Sequence, residues 1–315
     1  MPRGRAIRTA AILLASLLLL GACTGASRNT SATRDARGTP QPQGSPDAYR
    51  QALATAGNQV STALAGVASA KSLKALTERL DKAEQVSRGA AEQLGQVTPP
   101  DDVRAEHADL VQALEQLNGD LGVLRGAVEG RELCASPAVM ARLSRADGLA
   151  AVRDASRALA AKGGAQSYKL DLPVPAAPRE QNRRLPNGQF VRQGSRTGRG
   201  ELTTDNHSHR DTAVTLAVGK RPAFTVYVRN RAKDKVSGIR DGTYQIYYTT
   251  GVDWDPKMRA FTRQCTFERF DDAFKFKTTR TATQVEWTTW TITLNPVSGG
   301  NASTSEVDPK DFPPA

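Results

Sequence analysis

The chain has 315 residues and carries 43 lysines and arginines against 32 aspartates and glutamates, which gives a formal net charge of +11. Its three cysteines and three histidines argue against a disulfide-stapled miniprotein, a zinc-ribbon protein and a histidine-based metal centre. Most of the excess positive charge lies in residues 1–23 and 166–200, so the two long segments outside them are nearly neutral. A nucleic-acid-binding domain gathers basic residues on one folded face, and we therefore expect no nucleic-acid partner.

Residues 1–23 have the pattern of an export signal. Three arginines precede a mainly apolar run at residues 10–20, which is too short to cross a bilayer comfortably. The run ends in Leu20-Gly21-Ala22-Cys23, which resembles a bacterial lipobox, in which the cysteine thiol takes a diacylglycerol group. The resemblance implies a mature chain that starts at Cys23 and is lipid-anchored to the cell membrane on its extracytoplasmic side.

The next two segments differ sharply in pattern. Residues 24–46 are rich in Ser, Thr, Gly, Pro and Gln, which predicts a disordered tether. Residues 47–164 show stripes of Ala, Leu and Val at helical spacing. Ser45-Pro46-Asp47 and Ser136-Pro137 indicate helix starts, and Thr98-Pro99-Pro100-Asp101 interrupts the pattern. Together these features predict an antiparallel helical bundle of about four helices.

A cofactor site inside such a bundle would need histidine, glutamate or methionine side chains that converge in its core. The only histidine of this segment, His107, lies near Glu106 and Asp109, and we expect it to face solvent. We therefore predict that the helical part holds neither a metal ion nor another cofactor.

Residues 165–200 form a linker rich in proline and arginine, with seven basic and two acidic side chains. We expect a solvated spacer between two domains that fold independently. A second interpretation is that the arginines contact anionic lipid headgroups or acidic wall polymers.

Residues 201–315 hold 14 of the chain's 17 aromatic residues. Strand-like runs separated by turn signals predict an antiparallel β-sandwich. These runs are Glu201–Asp205, Thr212–Val218, Ala223–Arg229, Val236–Ile239, Thr243–Thr250, Ala260–Phe270, Phe274–Thr278 and Thr283–Leu294. Ile239-Arg240-Asp241-Gly242-Thr243-Tyr244 resembles the Gly-x-Tyr turn of transthyretin-like and carboxypeptidase-regulatory-like sandwiches, which implies an Ig-like/transthyretin-like sandwich. The expected fold class is thus multidomain α + β.

Further resemblances cover most of the chain. Gly251-Val252-Asp253-Trp254-Asp255, the run from Phe261 to Phe270 and Gly299-Gly300-Asn301-Ala302-Ser303-Thr304 are similar to a module of uncharacterised actinobacterial (Streptomyces-like) lipoproteins and surface proteins. The helical part, with its Thr-Pro-Pro-Asp turn and Leu133-Cys134-Ala135, resembles another uncharacterised exported helical domain. Neither resemblance implies an activity or a ligand.

Candidate sites are few. Asp253 and Asp255 are weak candidates for a Ca²⁺ site, because two carboxylates fall short of the roughly six to eight oxygens that calcium takes, and we expect them to hold a turn instead. His207-Ser208-His209 lies in a polar turn that is a poor metal site. Trp287 and Trp290 are three residues apart on one predicted strand, so at least one should be exposed. The sequence lacks the common catalytic motifs, and we predict no catalytic residue.

Cys134 and Cys265 remain as thiols once Cys23 is lipidated. Outside the cytoplasm they could form a disulfide that fastens the two domains together. We expect two separate thiols instead, because Cys265 lies in mid-strand among aromatic residues and an inward-facing cysteine could not reach another domain.

The leading functional hypothesis is a non-catalytic cell-envelope lipoprotein that binds or scaffolds an unknown ligand or protein partner. The alternative is a carbohydrate-binding or hydrolytic envelope protein that uses the aromatic residues of its β domain. An exposed aromatic surface would favour carbohydrate binding, and a cleft with paired carboxylates would favour hydrolysis.

Overall fold

The computed structural model describes residues 45–162, 168–294 and 303–314. The expected signal peptide, Cys23 and nearly all of the tether lie outside these residues. The described chain is an α + β structure, in which five helices precede a region of mainly antiparallel strands. The sequence therefore predicted the order of the two parts correctly.

The helices begin where the sequence indicates. Pro46 lies in the first turn of the first helix, and the hydroxyl of Ser72 accepts a hydrogen bond from the backbone N–H of Ala75 at the start of the second. The third helix packs against the second and the fifth. The helices are α1 (Pro46–Ala68), α2 (Leu73–Gly95), α3 (Arg104–Glu129), α4 (Ser136–Leu143) and α5 (Asp147–Lys162), with a short 3-10 helix at Asp101–Val103.

The segment predicted as a fourth helix forms two, α4 and α5, so the expectation of about four helices is too low by one. The break is stabilised by tertiary contacts, because the backbone N–H of Gly148 donates to the Asp120 carboxylate of α3 at 2.8 Å. A Cβ atom at Gly148 would lie 2.4 Å from the backbone nitrogen of Leu117. The start of α5 therefore packs directly on the backbone of α3.

His107 is buried, and the expectation that it faces solvent is wrong. It is 7% exposed, and its Nδ1 lies 3.1 Å from the hydroxyl of Tyr49. His107, Leu110 and Leu114 fall at helical spacing on the buried face of α3, which explains the burial. Burial lowers the pKa of His107, although a backbone hydrogen bond with Leu94 opposes this effect.

The β part contains twelve strands among the described residues. Two predicted strands, at 274–278 and 283–294, are each divided in two, and β1 and β12 were not predicted. The strands are β1 (Phe190–Arg192), β2 (Gly200–Asn206), β3 (Asp211–Val218), β4 (Arg221–Val228), β5 (Ala232–Ile239), β6 (Gly242–Asp255), β7 (Ala260–Phe270), β8 (Phe274–Phe276), β9 (Thr278–Arg280), β10 (Val285–Trp287), β11 (Thr289–Leu294) and β12 (Thr304–Glu306).

The strands form three sheets in the described chain. The largest follows the order β1-β4-β3-β6-β7-β12, with β8 paired to β6, and the others follow β11-β2-β5 and β10-β9. Among these pairs only β11 with β2 is parallel. Leu202 and Ile292 of the three-stranded sheet share one buried cluster with Val214 and Ile246 of the largest sheet. The two sheets thus bury a common core.

The expectation that the linker is a solvated spacer is wrong for residues 168–200, because parts of this segment pack against both the helices and the sheet. Tyr168 and Leu170 are buried in the helical core, and β1 joins the largest sheet. A Cβ atom at Gly57 of α1 would lie 2.4 Å from the carbonyl oxygen of Asp171, so the linker also runs directly against α1. All described residues belong to one compact unit. Independent folding of the two parts stays a prediction.

Candidate functional site

A disulfide joins the helical part to the β part. Cys134, in the loop after α3, is bonded to Cys265 of β7, with an S–S distance of 2.03 Å and a Cα–Cα distance of 6.3 Å. The expectation of two separate thiols is therefore wrong. The alternative that it was weighed against, a bridge between the two parts, is what the structure contains.

β7 contains a bulge beside Cys265. Thr250 of β6 pairs with Thr266, whereas Val252 pairs with Arg263, so β7 has an extra residue between these pairs. Gln264 has a φ of 50°, which breaks the alternation of side chains along β7. Cys265 itself is 3% exposed and lies in one buried cluster with Cys134, against which Leu73 of α2 also packs. The inference that an inward-facing cysteine cannot reach the helical part is wrong, because the helical part covers this face of the sheet.

The loop after α3 also pairs with β7 through its backbone. The N–H of Cys134 donates to the carbonyl of Thr262 at 2.7 Å, and the N–H of Gln264 donates to the carbonyl of Glu132 at 2.9 Å. Leu133 and Arg263 form an antiparallel bridge between these two bonds. The helical part thus contributes a short extended segment to the side of β7 that also carries β12.

Arg183 of the linker binds the two aspartates that were the calcium candidates. Its Nε and Nη2 each lie 2.8 Å from a different oxygen of Asp253, and its Nη1 lies 3.2 Å from Asp255. Thr262 donates a further hydrogen bond to Asp253 at 2.7 Å. Burial alone would raise the pKa of Asp253, but the hydrogen bonds from Arg183 and Thr262 outweigh it, so this pKa is lowered.

These contacts leave little of either carboxylate for a metal ion. Asp253 lies inside β6 rather than in a turn, although Asp255 does accept hydrogen bonds from the backbone of Lys257 and Met258, as a turn aspartate would. Trp254 between them is 1% exposed. In the part of the chain that the structure describes, no group of three or more His, Cys, Asp or Glu residues could hold a metal ion.

Arg184 forms the second link between the linker and the β part. Its Nε lies 2.7 Å from Asp211 of β3, and the hydroxyl of Tyr227 donates to the same carboxylate. Burial raises the pKa of Tyr227, and the hydrogen bond to Asp211 raises it further. The ring of Tyr227 packs at 5.5 Å from that of Trp254, measured between centroids.

The junction therefore consists of a disulfide, a backbone bridge and two arginine–aspartate links around a buried aromatic cluster. The carboxylates of Asp211, Asp253 and Asp255 are all engaged by arginine, which suits a structural lock better than proton transfer. Sequence reasoning missed the roles of Arg183 and Arg184. Their one visible signal is that they are the only adjacent pair of arginines in residues 165–200.

The remaining candidates lie away from the junction. His207, in the turn between β2 and β3, lies 3.0 Å from Asp205 of β2, measured from its Nε2 to the carboxylate. Trp287 and Trp290 lie on successive strands, β10 and β11, and are 43% and 38% exposed, which confirms that at least one is exposed. The indole of Trp290 donates to the carbonyl of Lys275 at 3.1 Å, whereas Trp287 has the guanidinium of Arg199 at 5.9 Å from its ring centroid.

Two findings bear on the chain as a whole. None of the described helices is long and apolar enough to cross a membrane. Comparison of the chain with protein-family models, curated proteins and solved structures finds no match.

Proposed function

We propose that the chain is a cell-envelope lipoprotein, anchored through Cys23 on the extracytoplasmic side of the membrane, that works as a non-catalytic binding or scaffolding protein. The observation that carries the proposal is the disulfide between Cys134 and Cys265. Disulfides persist in oxidising compartments outside the cytoplasm, which agrees with an exported chain. The Leu20-Gly21-Ala22-Cys23 sequence supplies the proposed anchor.

The proposal includes a finer architecture. We propose an antiparallel bundle for the helical part and an Ig-like or transthyretin-like sandwich for the β part. The sandwich is supported by two sheets that bury one core, and the bundle by the packing of α3 against both α2 and α5. The junction holds these two parts together, which suits a scaffold that presents both parts as one body.

Carbohydrate binding is a second candidate for the function. The exposure of Trp287 and Trp290 favours it, because an exposed indole ring offers a flat face on which a sugar ring can pack. The aspartates of the junction do not favour the hydrolytic alternative, since arginines engage them.

Anchoring is tested by expressing the full chain and its Cys23→Ala variant in a bacterium that processes lipoproteins. The wild-type chain should enter the detergent phase on partitioning, and its intact mass should show a start at Cys23 plus acyl chains. The variant should remain unlipidated, because the residue that takes the lipid is gone.

A Thr24→Ala variant is the matched control, since it changes the neighbouring residue and leaves the thiol in place. It should partition like the wild type. A wild-type chain that carries no lipid, or that starts at a residue other than Cys23, would contradict the proposal.

A further inference from the structure

The hairpin of β9 and β10 carries basic and aromatic side chains on one face. Cross-strand pairs join Trp287 to Thr278 and Val285 to Arg280. Residues two apart on a strand share a face, and directly paired residues lie on the same face, so all four side chains are on one side of the hairpin. Glu286 belongs to the opposite face. The hairpin therefore keeps its acidic residue away from Trp287 and Arg280.

A shallow cavity of about 800 Å³ adjoins this face, and we call it the recess. It is lined by three arginines from three separate segments, Arg199 before β2, Arg240 before β6 and Arg280 of β9. Within the described chain none of these guanidinium groups forms an ion pair, whereas Arg183 and Arg184 are both bound to aspartates. Positive charge is thus concentrated in a recess that the described chain does not neutralise.

One carboxylate, that of Asp241, also lines the cavity. Thr278 occupies both of its oxygens, with the backbone N–H at 2.9 Å and the hydroxyl at 2.8 Å. These hydrogen bonds lower the pKa of Asp241, so it stays ionised and keeps the loop before β6 tied to β9. Three guanidinium groups against one carboxylate leave the recess cationic.

Trp287 completes the surface. Arg199 lies over its ring, yet the side chain is still 43% exposed. The face of an indole ring carries negative potential, which attracts the polarised C–H groups of a sugar ring as it attracts a cation. An anionic sugar polymer matches both features, because its sugar rings can pack on the indole ring and its anionic groups can pair with the arginines.

We propose that Trp287, Arg199, Arg240 and Arg280 form a binding site for an anionic glycan, whose sugar ring packs on Trp287 while its carboxylate or phosphate groups pair with the arginines. The exposed indole ring offers a flat face on which a sugar ring can pack, so the site is assigned to a glycan rather than to a membrane. This inference deepens the proposed binding function and rests on it.

Three labelled polymers with the same glucan backbone test the site, namely neutral dextran, carboxymethyl dextran and dextran phosphate. They are titrated with the full chain in a neutral detergent, and binding is followed by fluorescence anisotropy. We expect at least one anionic dextran to bind about tenfold or more tightly than neutral dextran, because ion pairs add to stacking. The tighter of the two identifies carboxylate or phosphate as the preferred group.

Two sets of variants locate the binding. The triple variant Arg199→Gln, Arg240→Gln, Arg280→Gln should reduce binding of the anionic dextran to that of neutral dextran. Trp287→Ala should weaken it about tenfold through the lost ring contact. The matched control is Lys71→Gln, Lys82→Gln, Arg153→Gln, which removes three exposed charges from the helical part and should leave the affinity within about twofold.

Several results would overturn the proposal. Equal loss in the control variant would show that net charge alone drives binding. The proposal would also fail if the chain bound none of the dextrans or bound all three equally. It would fail, too, if single-stranded DNA, or phosphatidylglycerol in mixed micelles, displaced the labelled dextran completely at a lower concentration than unlabelled dextran does. Membrane anchoring is scored separately, so a failure here is distinguishable from a failure of anchoring through Cys23.

Discussion

The linker places arginines in two regions of the molecule, and the two regions use them differently. At the junction, Arg183 and Arg184 meet aspartates on β6 and β3 and become part of the fold. At the hairpin, Arg199 meets an exposed indole ring and two further arginines around a recess. Arginine is structural at the junction, where the sheet supplies buried carboxylates. It remains available for a ligand at the hairpin, where no buried carboxylate of the described chain pairs with it. The predictions that follow test that difference.

The largest effect should come from the covalent link at the junction. Replacing Cys134 and Cys265 together by serine should lower the free energy of unfolding by about 2–5 kcal/mol, because the disulfide closes a long loop and restricts the unfolded chain. Urea denaturation of the full chain, with and without reductant, measures the effect. Reductant should destabilise the wild type and leave the double variant unchanged, and an identical midpoint for the two proteins would contradict the expectation.

The next effect should come from the aspartate that Arg183 binds. Asp253→Asn should cost about 1–3 kcal/mol of unfolding free energy, because it leaves a partly buried guanidinium without its bidentate partner. Asp154→Asn is the matched control, since the ion pair between Asp154 and Arg157 is exposed to solvent. This substitution should cost less than about 0.5 kcal/mol. Equal losses in the two variants would remove the distinction between buried and exposed pairs.

Acid should weaken the junction as well. Burial raises the pKa of Asp211, but hydrogen bonds from Arg184, Tyr227 and the backbone of Asn230 outweigh it, and the pKa of Asp253 is lowered in the same way. A carboxyl group whose pKa is lowered in the folded state stabilises the protein at pH values above its ordinary pKa of 3.8. This stabilisation is lost as the pH falls from 3.8 toward the folded-state pKa. Unfolding midpoints between neutral pH and pH about 3 should fall more steeply for the wild type than for Asp253→Asn.

The smallest effects compare the two kinds of arginine directly. Arg184→Gln should cost about 1 kcal/mol, because it removes charge-assisted hydrogen bonds to Asp211. Arg199→Gln should change the unfolding free energy by less than about 0.5 kcal/mol, because Arg199 pairs with no carboxylate among the described residues. Thermal melts of the two full-length variants measure both. A loss at Arg199 equal to that at Arg184 would make the hairpin arginine structural too.

Local sequence patterns predicted those parts of the fold that depend on neighbouring residues. The start of α1 follows from Ser45-Pro46-Asp47, and most strands follow from alternation. The division of α4 from α5 could not be predicted, because it depends on contact between Gly148 and α3. His107 could have been placed correctly, since it shares a helical face with Leu110 and Leu114.

The candidate sites were predicted less well, for a physical reason. Exposure of a tryptophan could be expected from residue spacing, but the three arginines of the recess come from three segments whose proximity depends on the sheet order. The disulfide could not be predicted, because the face of β7 that carries Cys265 packs against the helical part instead of lying inside the core between the two sheets. Both outcomes depend on contacts between residues far apart in the chain.

The pairing along β7 has a consequence for crowded surroundings. An open strand edge offers unpaired N–H and C=O groups to any other chain, and proteins held on one surface meet each other often. The edge of β7 that does not pair with β6 is covered at one end by residues 132–134 and at the other by β12. One of these segments comes from the loop between α3 and α4 and the other from near the C-terminal end of the described chain, so the same contacts that unite the molecule also keep this strand from recruiting a neighbouring copy.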